Sequence, residues 1–320
     1  MSARERYTWA MLVALALAGC SDDDGGGDGD ADSDTDADTD ADTDADTDAD
    51  SDSDCTPPAA PPVAPPPGQV QVTVSADDAA PGGSAWAVFY DQAPSPWHDE
   101  VMREGDCRLL EWEPGFCDPF CMDGICRDGE CVPTPGHRGA GDLTLSGAGL
   151  DAELQDFGGG TYYASLDAPA LTEGAAVRVE ATGDEQPAFS IDSRQPAPLQ
   201  MTLDNGEIHL TDGEDAVVEW TPADCNNARM RLTLKTPTAA HGTPPLAMIE
   251  CDVPDTGSLT IPRAIIEAFP ETERRKICVL VDCPASTFVR YTRATTGTGA
   301  DETELVVQSA RTFAVVHPVE

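Results

Sequence analysis

Lysine is almost missing from this chain. Its 320 residues contain only Lys235 and Lys276, and 18 basic residues face 59 acidic ones, a formal charge of −41. A chain so poor in cations lacks the clustered Lys and Arg that neutralise a phosphate backbone, which excludes nucleic acid as a partner. Long apolar runs are missing too. Trp9–Ala18, about ten residues, is too short to cross a bilayer. Aromatic residues make up 6% of the chain, so each exposed ring carries weight. The usual hydrolase patterns are also missing. There is no G-x-S-x-G elbow and no H-E-x-x-H, and the five histidines (98, 137, 209, 241 and 317) are scattered. Gly158–Gly160 precede strand-like residues rather than a helix, which excludes a phosphate loop.

What is present begins with an address. Arg4 and Arg6 precede the apolar run, the layout of a secretory leader. The run ends Leu17-Ala18-Gly19-Cys20. This tetrad resembles the lipobox of bacterial lipoprotein precursors. The resemblance implies cleavage after Gly19, so that 1–19 is a signal peptide, and it implies lipid attachment at the Cys20 thiol. Acyl burial is worth about 0.8 kcal/mol per CH₂, and more than one chain makes a durable anchor. Ser21 follows the cysteine, and Asp22 comes one position later. That order resembles chains bound for the bacterial outer membrane, where the cell surface is the expected side and the periplasm the alternative.

Residues 22–54 hold 17 aspartates and no basic residue, and 35–50 are four Thr-Asp-Ala-Asp repeats. Setting these and the leader aside leaves −25 on residues 55–320. Such a tract cannot bury enough surface to offset its ordering entropy, and its like charges keep it extended. The proline-rich run Pro57–Gly68 continues it as a stiffer spacer. The expected stalk is therefore 20–68. Its D-x-D spacing allows weak Ca²⁺ association. The repeats at 35–50 lack the Gly and the closing Glu of an EF-hand loop.

Ten cysteines remain after Cys20. Cys107, Cys117, Cys121, Cys126 and Cys131 lie close together among Gly, Pro and Asp, the pattern of a small disulfide-stapled module. A zinc site is the rival, but its Cys-x2-Cys pairs are missing. Cys55 is the expected sixth member. Cys225, Cys251, Cys278 and Cys283 would then form two bridges among themselves, with three connectivities open. In the strand-like KICVLVDC (276–283), Cys278 and Cys283 point to opposite faces, so they should have different partners.

Short alternating stretches recur at 69–76, 84–90, 141–147, 161–167, 175–181, 216–220, 228–235, 246–251, 287–294 and 304–316, with Gly, Pro and Asp between them. Only 261–269 reads as a helix, with Pro262 at its start and Pro270 at its stop. The expected fold is mainly β: an antiparallel β-sandwich of one or two Ig-like-shaped domains, a small inserted disulfide-rich module, and a disordered N-terminal stalk. The expected organisation is a β domain at 69–197 with the Cys-rich insertion at about 99–135, then a C-terminal β-sandwich at 198–320. With its W-T-P strand (220–222) and its C-x3-D-T-G-S-x-T-I-P turn (251–262), the chain resembles bacterial surface lipoproteins. The resemblance implies an envelope location and no particular activity.

Three candidate sites follow. Asp255-Thr256-Gly257-Ser258 matches the D-T-G-S of aspartic proteases, but a second D-[ST]-G is missing, so a capped turn is the expectation. His98, Asp99 and Glu100 form a possible metal cluster, with an exposed polar loop as the expectation. Trp97 and Trp112 lie in loop and Cys-rich context and are candidate stacking faces for a ligand, whereas Trp86 and Trp220 belong to strands and to the core. The expected function is a non-catalytic binding or adhesion module for a glycan or surface protein, anchored to the membrane by lipid. The alternatives are a structural envelope component or a hydrolase with an unrecognised site. No cofactor is expected.

Overall fold

A computed structural model describes residues 57–62, 64–77, 81–113, 115, 117–119, 121, 124–147, 149–167, 171–203, 205–224, 228–238, 243–272 and 285–318. They all belong to one compact unit, Asp50–Glu320. The fold is mainly β, built on a large multi-stranded sheet.

The strands β1 (Gly68–Ser75), β2 (Gly83–Phe89), β7 (Leu143–Ser146), β8 (Ala152–Asp156), β9 (Thr161–Leu166), β10 (Ala176–Ala181) and β11 (Phe189–Arg194) form its N-terminal part. Next to them lie two long strands, β17 (Ser286–Thr296) and β18 (Thr303–Val316). The order runs β11-β10-β7-β8-β9-β2-β1-β18-β17. The alternation read from GQVQVTVS is the alternation of burial. Val70, Val72 and Val74 point inward, while Gln71 is exposed. The sheet curls back on itself. At the far edge, Ser193 and Arg194 of β11 meet Thr292 of β17, with Ser193 Oγ and Thr292 Oγ1 3.2 Å apart. This curl encloses the first hydrophobic core, where Phe89, Leu143, Leu145, Tyr162, Val177 and Leu305 are buried. Each such side chain contributes about 1.5–3 kcal/mol.

The sheet continues from β17 through β14 (Arg229–Lys235), β15 (Ala247–Pro254) and β4 (Cys107–Glu111) to the edge strand β3 (Asp99–Glu104). Over this part lie β12 (Glu207–His209), the pair β13 (Ala216–Glu219) and β16 (Ser258–Ile261), and the helix α1 (Arg263–Ala268). Their inward side chains form a second core around Trp220, Leu232, Ile249, Ile265, Ile266 and Phe288. The two cores share strands. Leu305 and Val307 of β18 serve the first, and Phe313 and Val315 serve the second.

Several expectations are corrected. The sheet is not wholly antiparallel, because β1 and β12 both pair in parallel with β18. Gly68 permits the β1 approach, since a Cβ there would collide with Thr303 Oγ1. The proline-rich run is not free stalk up to residue 68. Pro66 and Pro67 are buried, the Pro67 carbonyl accepts from Tyr90 N at 3.1 Å, and Arg229 Nη1 donates to the Pro58 carbonyl at 3.2 Å. Prolines present apolar rings and free carbonyls, so the run lies along the sheet as a strap.

The insertion is also smaller than 99–135. Residues 99–111 are the sheet strands β3 and β4, and only the hairpin of β5 (Gly124–Arg127) and β6 (Glu130–Pro133) stands apart. That hairpin carries Cys117–Cys126 and Cys121–Cys131. Cys107 is not bonded within the expected group of six; it is bonded to Cys251, its direct partner across the β4–β15 ladder. This overturns both expected groupings. The cause is the register, which sets the two Cα atoms 4.0 Å apart. Cys20, Cys55, Cys225, Cys278, Cys283 and the stretch 276–283 lie outside the described residues.

Candidate functional site

The β3–β4 corner brings the two candidate tryptophans together. Trp112 follows β4 and continues its ladder, donating its backbone N–H to the Leu246 carbonyl at 2.8 Å. Trp97 precedes β3. The two rings meet edge to face, with centroids 6.2 Å apart and planes at 83°. This is a favoured aromatic geometry. Trp97 remains 46% exposed, and Leu246 is 40% exposed.

Two braces hold this rim. His98 Nε2 donates to the Pro245 carbonyl at 2.7 Å. Burial pushes the imidazole below its ordinary pKa, and the hydrogen bond to the Pro245 carbonyl pulls the other way. The second brace is the disulfide hairpin. Arg127 of β5 donates through Nη2 to the Pro96 carbonyl at 2.7 Å and lies 3.3 Å from Asp99 Oδ1. Two short bridges therefore fix the residue that fixes the Trp97 loop. The hairpin is too small to form a core of its own, and disulfides supply its rigidity.

His98, Asp99 and Glu100 do not converge. His98 holds a carbonyl and Asp99 faces Arg127. Glu100 is bound by Arg103 at 2.6 Å, and Arg108 lies at 3.6 Å. The Arg103 hydrogen bond lowers the Glu100 pKa. Among the described residues, no group of three or more His, Cys, Asp or Glu is placed to hold a metal.

Asp255 is a buried structural node. Its Oδ2 lies 2.8 Å from Arg290 Nε and accepts from Ala223 N at 3.1 Å. Its Oδ1 accepts from Trp220 Nε1 at 2.5 Å. Gly257 takes φ 96, the left-handed turn position. Both carboxylate oxygens are engaged, so neither is free to activate a water as an aspartic protease requires. Trp220 is buried as expected, whereas Trp86 is only half-buried, on the outer face opposite Tyr163.

Sequence reading missed two features. Phe157, 62% exposed, sits at the Gly158–Gly160 turn between β8 and β9, edge to face with Tyr163. Three consecutive glycines with positive φ were its signal. The other is a cavity of about 960 Å³ between the two cores, reached by Trp220, Glu219 and Arg311. No sequence signal marks it, because its walls come from distant segments.

These features define a mainly β, disulfide-stapled protein with an aromatic rim on which Trp97 is exposed. No protein-family model matches the chain, and no curated protein matches it either.

Proposed function

We propose that this chain is a lipid-anchored lipoprotein of the bacterial outer membrane, acting at the cell surface as a non-catalytic binding module. The observation that carries the binding role is the edge-to-face pair of exposed Trp97 and half-buried Trp112, held from two sides by His98 and Arg127. Preorganised rings lose little entropy on binding, which is why Trp is enriched at binding hot spots. The fitting ligand is a glycan or a surface protein that offers an apolar face with polar edges. The Leu17–Cys20 tetrad supports the anchor, and the aspartate tract supports a spacer. Residues 20–56 give a contour of roughly 120–130 Å. Negative charge keeps such a tether away from an anionic membrane.

The test is accessibility on intact cells. An epitope tag after Glu320 is expected to be labelled by antibody and removed by added protease without lysis. Cys20→Ser is expected to release the chain from the membrane fraction. Labelling only after lysis would place the module in the periplasm, and an unchanged Cys20→Ser variant would refute the anchor.

Ligand binding is tested on a glycan and surface-protein array. Trp97→Ala should lower affinity by about 2 kcal/mol, roughly 30-fold. Because Trp97 is 46% exposed, the unfolding midpoint should stay nearly constant. Unchanged affinity for every ligand found would remove the rim from the binding site.

A further inference from the structure

The layer over the second core has a gap in it. β12 pairs only with β18, and β13 only with β16, among the described residues. The phase of the ladders tells which backbone groups are left over. Trp220 N donates to the Gly257 carbonyl. In an antiparallel pair the bonded positions alternate, so Val218 and Ala216 also face β16, while Val217 and Glu219 aim their N–H and C=O groups away from it. On β12, Leu210 N donates to Val316 O, and Gly206 O accepts from Ala314 N. Ile208 therefore faces β18, and Glu207 and His209 face away from it. The β13–β16 ladder therefore does not use the main-chain groups of Val217 and Glu219, and the β12–β18 ladder does not use those of Glu207 and His209.

A cavity of about 380 Å³ lies between these two strands. It shares Met201, Thr202 and Glu219 with the larger cavity between the cores. Its apolar lining includes Met201, Ile208 and Val218, all buried. Glu207, Glu214, Asp215 and Glu219 also line it, and no Lys or Arg does. Edge strands are usually guarded against pairing by charge, proline or a bulge. β3 is guarded in this way: it carries a bulge between Glu100 and Met102, and four of its six residues are charged. β13 has neither bulge nor proline, and Val217 is 61% exposed.

We propose that the free edge of β13 receives an extended, basic peptide segment of a partner protein, which adds as a strand in this slot. Main-chain bonds to Val217 and Glu219 supply the pairing. Strand alternation turns every second peptide side chain toward Ile208 and Val218, which selects apolar residues there. The side chains between them meet the carboxylates, which selects Lys or Arg. This site is separate from the tryptophan rim and does not depend on it.

The probe is a fluorescent Lys-Val-Lys-Val-Lys-Val peptide, read by anisotropy on the full chain at about 150 mM salt. The decisive variant is Val217→Pro. It removes an N–H that points away from β16, so the β13–β16 ladder is kept. Binding is expected to fall at least tenfold in this variant. The aspartate tract also attracts cations, but it is identical in both proteins, so only the Val217-dependent part reports the slot. A Glu-Val-Glu-Val-Glu-Val peptide should bind at least tenfold more weakly. Should Val217→Pro lose its fold, the wild-type chain is tested with a peptide N-methylated on its pairing edge, which should fail to bind. Equal binding by Val217→Pro with its fold intact, by the N-methylated peptide or by the acidic peptide would overturn the proposal. So would no binding at millimolar peptide.

Discussion

Asp255→Ala is expected to lower the stability of the folded unit by about 3–5 kcal/mol, the range for removing one partner of a buried ion pair. The reason is what the substitution strands. Arg290 and Asp255 side chains are 2% and 0% exposed. With Asp255 gone, Arg290 keeps the carbonyls of Pro198 and Thr221 but no counter-charge. Trp220 Nε1 and Ala223 N lose their acceptors as well. Asp255→Asn should cost less, because its amide oxygen still accepts one of these bonds. The informative variant is Asp255→Ala combined with Arg290→Met. Removing both charges should recover part of the loss, since no buried guanidinium is then left without a counter-charge. Urea unfolding midpoints at constant slope decide the matter. An Asp255→Ala protein as stable as wild type would refute the structural role and reopen the D-T-G-S motif as chemistry.

Much of the fold was legible because short-range physics dominates in strands. Val70, Val72 and Val74 alternate with polar residues, and that alone places β1 with its inward face. The helix was legible for the same reason: Pro262 and Pro270 bracket Ile265 and Ile266. Strands β3, β4, β5, β6, β8, β11, β12 and β16 were missed. DEVMRE is wholly exposed, and AELQD and FSIDSR bury only Leu154 and Ile191, so their sequences carry no two-faced pattern. The parallel pairing of β1 with β18 joins residues more than 200 positions apart, and no local signal encodes it. Trp97 and Trp112 were picked out one at a time. Their meeting depends on β4 pairing with β15, which sets Trp112 beside Leu246. The β12–β13 slot was invisible, because it is defined by hydrogen bonds that the described residues do not make.

The Cys107–Cys251 bridge shows how strongly register controls chemistry here, and its removal is the second large effect. The two residues are 144 positions apart in sequence yet directly opposed across β4 and β15. Closing a loop of that length in the unfolded chain is worth about 5 kcal/mol on the chain-entropy relation. The double variant Cys107→Ala/Cys251→Ala should therefore lose about 4–5 kcal/mol. The hairpin bridges behave differently. Cys117–Cys126 and Cys121–Cys131 close loops with separations of 9 and 10, worth about 2.6 kcal/mol each on the same relation, but that constraint acts on the hairpin alone. They lie on a satellite hairpin, not on the main sheet. Replacing those four cysteines by alanine should leave the global unfolding midpoint nearly unchanged. It should instead loosen Arg127 from Pro96 and weaken ligand binding at the Trp97 rim. Denaturant curves for the two variants, paired with ligand titrations, separate a bridge that holds the fold from bridges that hold the site. Equal midpoints for wild type and the Cys107→Ala/Cys251→Ala variant would refute that division, and so would a global collapse on loss of the hairpin pair.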